Sequence, residues 1–271
     1  MKFRQRILGI AALALYQSMP AMASAASPAA KVTLVTGRGT ASAVTGEIRA
    51  IAKGDPIYSG EIIHSSANSF IDLKFNDGGY FLLRPNSRFE VVDFVNHGTT
   101  AQPLAVASKP AAPAPTAPTQ TTAPIPSLAP LVIAPQDVQS GTSRAFFRLL
   151  KGGFRSISGL IGKVNHDEYQ VNTPVATIGI RGTDYLVAIC DESCAIDPEI
   201  AAVLPPGVNP LGGIVSTVYE HSIVITDAGG SVTLLEGQYL LVLPNGTNIL
   251  LPLEPHFLRV NPSPNPANCA G

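Results

Sequence analysis

The sequence contains no tryptophan, three methionines and three cysteines in 271 residues, and only 14% of it is charged. The sparse charge, 18 Lys+Arg against 19 Asp+Glu for a formal net of -1, leaves no dense cationic face. Counterion release from phosphates needs such a face, so a nucleic-acid partner is excluded. Aromatics amount to 6%, few to stack sugars along a groove, which counts against a cell-wall polysaccharide ligand as the alternative to a protein one. A late membrane-spanning run is also missing. The most apolar stretch, residues 239–253, is broken by Pro244, Asn245, Gly246 and Pro252, whereas a span takes about 20 apolar residues.

What the chain has in quantity is glycine and proline, 24 of each, with 45% hydrophobic residues. Both residues are poor helix formers, which argues against long helical bundles. High apolar content with low charge argues against wholesale disorder.

The first residues read as a secretory signal. Lys2, Arg4 and Arg6 form a charged start, residues 7–16 form an apolar run too short to cross a bilayer, and small-x-small sites end at Ala23 and Ala25. A signal peptide over 1–25 implies a periplasmic or secreted bacterial protein with no integral membrane segment after cleavage. Such a compartment permits disulfides, and Cys190 and Cys194 are spaced for a small local loop. A disulfide is favoured there over a metal site, which would need His or further Cys ligands close by.

Short apolar or alternating runs separated by glycines fill residues 31–95. In residues 70–75, Ile71, Leu73 and Phe75 share one face while Asp72 and Lys74 share the other. Asn76-Asp77-Gly78-Gly79 then reads as a tight turn, and residues 80–83 and 88–95 as further strands. Nine of the 24 prolines fall between positions 103 and 135 amid Ala and Thr, so 101–139 is expected to be a disordered Ala/Pro-rich insertion that cannot feed a sheet with N–H donors. Strands resume at Arg144 and run to Cys190. After an acidic, Pro-rich excursion over 191–210, a β extension follows over 211–258, then a flexible tail over 259–271. The class is all-β: short Gly-cornered strands in a solenoid-like or sandwich arrangement.

Four stretches carry a family resemblance. Residues 53–63, Lys-Gly54-Asp55-Pro-Ile-Tyr-Ser-Gly-Glu-Ile-Ile, resemble a "G-D-x-I-x-x-G-[DE]-x-I" pattern. Residues 69–87, with Phe75-Asn76-Asp77-Gly78-Gly79 and Leu83-Arg84-Pro85-Asn86-Ser87, resemble an "S-x-x-x-L-x-F-x-D-G" hairpin followed by "L-x-P-x-[ST]". Residues 149–154 resemble an "L-x-x-G-x-[VLF]" strand. Residues 172–185, containing Thr173-Pro174 and Arg181-Gly182-Thr183-Asp184-Tyr185, resemble "T-P-x-A-x-x-G-x-R-G-T-x-[FY]". The chain thus resembles the FecR domain family of exported bacterial proteins across 31–190. The resemblance implies a β-rich, solenoid-like fold and a binding or scaffolding role toward an envelope protein, with an accessory part in signalling as one form of it. It implies no catalytic residues and no cofactor. Family members that act as iron-responsive transducers carry an anti-sigma segment and a transmembrane helix where this chain has its signal.

Sites for chemistry are sparse. Asp72, Asp77, Asp167, Glu168, Asp184, Asp191 and Glu192 stand mostly singly, and read as turn formers and solvent-facing residues rather than convergent acid/base groups. The histidines at 64, 97, 166, 221 and 256 have no metal-binding spacing. No Gly-x-Ser-x-Gly elbow supports an envelope hydrolase. In the Arg181-Gly182-Thr183 corner, Gly182 is expected to permit the turn, Thr183 to cap backbone groups and Arg181 to bind open carbonyls, ahead of a ligand-anchoring role for the corner.

Overall fold

The computed structural model describes residues 27–97 and 142–269. The expected signal peptide and the Ala/Pro-rich insertion lie outside the described residues. In chain order the strands are β1 (Ala30–Thr36), β2 (Gly39–Ser42), β3 (Ile48–Ala50), β4 (Pro56–Ile57), β5 (Ile62–Ser65) and β6 (Phe70–Phe75). Next come β7 (Tyr80–Leu83), β8 (Arg88–Val95), β9 (Arg144–Lys151), β10 (Gly153–Ile157), β11 (Tyr169–Asn172) and β12 (Ala176–Ile180). The last six are β13 (Asp184–Ile189), β14 (Ile214–Glu220), β15 (Ser222–Asp227), β16 (Gly230–Leu235), β17 (Tyr239–Val242) and β18 (Asn248–Leu251). Among the described residues they form two nine-stranded sheets. The first has the order β18-β17-β14-β13-β10-β7-β6-β1-β4 and the second β16-β15-β12-β11-β9-β8-β5-β2-β3. The chain passes back and forth between the sheets while advancing along both, an all-β, sandwich-like stack.

Side-chain alternation decides which face is covered. Ile71, Leu73 and Phe75 of β6 point between the sheets and are buried, as their period-2 spacing requires. An aromatic cluster joins the two layers: Phe81 of the first sheet lies 4.9 Å from Phe89 and 4.7 Å from Phe147 of the second, measured between ring centres. Among the described residues pairing is antiparallel except between β9 and β11. A parallel pair needs a crossover, supplied here by β10 in the opposite sheet and the short helix α1 (Leu160–Val164).

That helix sits where the sequence reads as a continuation of β10. Its Gly162 and the β-branched Ile161 and Val164 lower its helix propensity, and the residue before it, Gly159, has no capping side chain. The cap comes from 84 positions away, where Asp77 Oδ2 accepts from the Ile161 N–H at 3.3 Å and the Asp77 carbonyl accepts from the Leu160 N–H at 2.9 Å. Burial of Ile161 in the main core completes the helix's anchorage.

The outer face of the first sheet is also covered. Leu186, Ala188, Val215, Leu241, Leu243 and Leu251 form a second core there, against Cys194, Ile200 and Leu258. The 191–210 excursion supplies part of the cover as two short helices, α2 (Glu192–Ala195) and α3 (Pro198–Ala201), capped by Asp191 and Asp197 respectively. The remainder comes from the end of the chain, with α4 (His256–Arg259) and a single 3-10 turn at Pro266–Asn268 beside β7 and β10. Within the expected flexible tail over 259–271, Ser263 and Pro266 are buried, and residues 270 and 271 lie outside the described residues. The tail's prolines break regular structure without preventing burial. The 31–190 and 211–258 segments share both sheets, because β13 pairs along its length with β14 and β12 with β15.

Candidate functional site

The motif residues singled out by the resemblance lie at corners spread along the stack. Gly54 takes φ +101°, and its N–H donates to the Val32 carbonyl at 2.8 Å. Asp55 closes the same corner by accepting from the Ala52 N–H at 2.8 Å. Gly78 (φ +85°) makes the β6–β7 turn, while Asp77 Oδ1 accepts from the Gly79 N–H at 3.0 Å. Burial pushes the Asp77 carboxyl above its ordinary range, opposed by those backbone donors. Thr173 Oγ1 donates to the Ala176 carbonyl at 2.8 Å and accepts from its N–H at 3.0 Å, bracketing Pro174 in the β11–β12 turn.

The Arg181-Gly182-Thr183 corner divides by role. Gly182 has φ +69°, a conformation a Cβ disfavours. Thr183 is buried, accepts from the Arg181 N–H at 3.2 Å and donates to the Ser222 carbonyl at 2.6 Å. These two residues hold the turn as expected. Arg181 differs from its expected role: its side chain is exposed, and among the described residues its guanidinium takes part in no hydrogen bond or ion pair. At this corner Thr183 already satisfies the Ser222 carbonyl.

Arg181 instead borders two adjoining depressions on the second sheet's side. One, of about 400 Å³, runs over Asn165, His166, Asp167 and Glu168. The other, of about 260 Å³, runs over Gln170, Thr177 and Thr226. His166, Asp167 and Arg181 border both. The surface offers an unpaired guanidinium with an imidazole and carboxylates around it, groups suited to polar and ionic recognition of an acidic partner group.

The sequence misplaces two carboxylates. Asp72, expected on a solvent face, is fully buried; it pairs with Leu82 of β7, the strand over which the C-terminal 3-10 turn lies. Its Oδ2 accepts from Thr33 Oγ1, its Oδ1 has no protein partner, and burial pushes the carboxyl up to about 6 against the pull of the Thr33 bond. Asp184 is buried as well, in a two-pronged bond with Arg155 at 2.9 and 2.7 Å. The Arg155 guanidinium also stacks 3.9 Å from the Tyr219 ring centre and donates to the Ser263 carbonyl at 2.9 Å. Sequence alone signals neither burial, since each carboxylate is enclosed by residues brought from other strands, Thr33 beside Asp72 and Arg155 beside Asp184. Cys190 and Cys194 are joined in a disulfide with their Cα atoms 5.1 Å apart, closing the loop that leads into α2.

No family model matches the chain, and no curated protein does. Among solved structures, two crystal structures of a "putative anti-sigma factor" from Parabacteroides distasonis ATCC 8503, at 2.50 and 1.65 Å resolution, align with it at 10% identity and a TM-score of 0.38. Each alignment covers 70% of this chain and 58% of the other, so the chain spans less than two thirds of their length.

Proposed function

We propose that this chain is an exported, non-enzymatic module of the FecR type that binds a protein partner at the bacterial cell envelope, and that the Arg181 corner contacts that partner. The observation carrying this reading is the free guanidinium of Arg181, set on a turn that Gly182 and Thr183 hold without its help. The corner fixes the backbone from which Arg181 projects, so pairing with an acidic group orders the side chain but not the turn. The Cys190–Cys194 disulfide fits an oxidising compartment outside the cytoplasm.

The test is crosslinking in cells that produce the full chain, with a photoreactive residue at Gln170, whose side chain is exposed beside Arg181. A discrete protein adduct is expected with Arg181 intact and lost in Arg181→Glu, with the circular dichroism spectrum unchanged. An adduct that survives the charge reversal, or no adduct at all, overturns the assignment.

A further inference from the structure

A second arginine occupies the opposite situation, buried rather than exposed. Arg84 follows β7, is 6% exposed, and donates from Nη1 to Ser263 Oγ at 2.8 Å. A guanidinium carries five N–H donors. Among the described residues Arg84 has no other side-chain hydrogen bond and no ion-pair partner. Burial pulls its pKa below the ordinary arginine value, as expected of a desolvated cation. Arg155, which shares Ser263 with it, has Asp184 as a two-pronged counterion. Buried charges in proteins are as a rule paired, and Arg84 is not.

Arg84 borders a cavity of about 320 Å³ whose wall also includes Asn86, Asp191, Ser193, Phe257 and Asn261. That volume is in the range of small-molecule sites. The cavity exists only in the tertiary structure: the turn after β7, the Gly152–Gly153 corner, the disulfide loop and the C-terminal segment all contribute to its wall. Asp191 is the acidic group on its rim, and its charge acts on Arg84 without pairing with it. Its Oδ1 is committed to α2, accepting from Ser193 N at 3.0 Å and Cys194 N at 3.2 Å. The site therefore has a buried cation at one point and an exposed carboxylate at another.

We infer that this cavity binds a small zwitterion of amino-acid or dipeptide size, its carboxylate on the Arg84 guanidinium and its ammonium toward Asp191. A planar guanidinium takes a carboxylate through two parallel N–H bonds. The site is separate from the Arg181 surface, so either assignment can fail without the other.

The experiment is calorimetric titration of the full chain with L-alanyl-L-alanine, acetate and inorganic phosphate. The dipeptide is expected to bind more tightly than either anion. Arg84→Lys should weaken it on the order of tenfold or more, because the fork geometry is lost while the charge stays. Asp191→Asn keeps the cap of α2, since asparagine also accepts there; it should weaken the dipeptide and leave acetate unchanged. This variant keeps the inference testable if Arg84→Lys fails to fold. No binding of the dipeptide by the unaltered chain overturns the inference. So does acetate or phosphate binding as tightly as the dipeptide, or indifference of the dipeptide to Asp191→Asn.

Discussion

Asp72 should make the protein less stable as pH rises through the mildly acidic range, and Asp72→Asn should remove that dependence. The carboxyl is buried on the outer face of β6 with Oδ1 unpartnered, and burial raises it from 3.8 to about 6. Below pH 3.8 both the folded and unfolded chains hold the proton. Between there and pH 6 only the folded chain keeps it, and above pH 6 the folded chain must carry a desolvated charge. Relative to low pH, folding therefore loses stability from about pH 4 to about pH 6. At about 1.4 kcal/mol per pKa unit, the loss is on the order of 3 kcal/mol. Asparagine removes the ionisation but adds donors at the Oδ1 position, an offset that does not vary with pH. The quantity to measure is thus the stability of Asp72→Asn minus that of the unaltered chain, from urea unfolding at pH 4 and pH 8. It should grow by about 2.5 kcal/mol between the two, since part of the loss has already occurred at pH 4, equivalent to a relative Tm gain on the order of 5–10 °C. A difference that stays flat, or that shrinks as pH rises, refutes the reasoning and would mean that Asp72 is hydrated or paired when folded.

Two further perturbations test the cover over the first sheet. Asp184→Asn leaves Arg155 with a neutral partner in a buried setting, and urea unfolding should show a loss of about 3 kcal/mol; an unchanged midpoint would mean that Tyr219 and Ser263 suffice for that cation. Replacing Cys190 and Cys194 together by serine removes a closure with a sequence separation of 4, worth about 2 kcal/mol by loop entropy, and should raise hydrogen exchange in α2 and α3 before the sheets. Exchange rising equally throughout would contradict a local role. At the hinge between sheets, a Cβ at Gly159 would lie 2.3 Å from the Asp77 carboxylate, so Gly159→Ala should cost about 1–2 kcal/mol by displacing the cap of α1; thermal unfolding at the unaltered Tm would show that Asp77 does not hold that helix.

Much of the β structure is legible residue by residue. The alternation in 70–75, the glycine turn at 78 and the strand over 88–95 are local patterns, and the strands fall there. Gly182 and Thr183 are legible for the same reason, because a positive-φ corner with a hydroxyl to close it is written in three consecutive residues. Helix α1 is not, since its cap comes from Asp77 across the fold. Arg181 and Arg84 show the limit most clearly. Among the described residues one has no bonding partner at the surface and the other is buried with Ser263 as its side-chain hydrogen-bond partner, yet nothing in their neighbouring residues separates them.

The sequence by itself determined the all-β class, the positions of most turns and the cysteine pair suited to a bond, because period-2 alternation, glycine φ and short Cys spacing act over a few residues. Only the tertiary structure decided that the strands form two nine-stranded sheets, and that the chain's end lies over one of them. Asp72 and Asp184, read as outward-facing, and Arg84 are all buried on the face this cover adjoins, with Ser263 bonded to both Arg84 and Arg155. Burial depends on what comes to lie above a residue, and here that is brought from elsewhere in the chain.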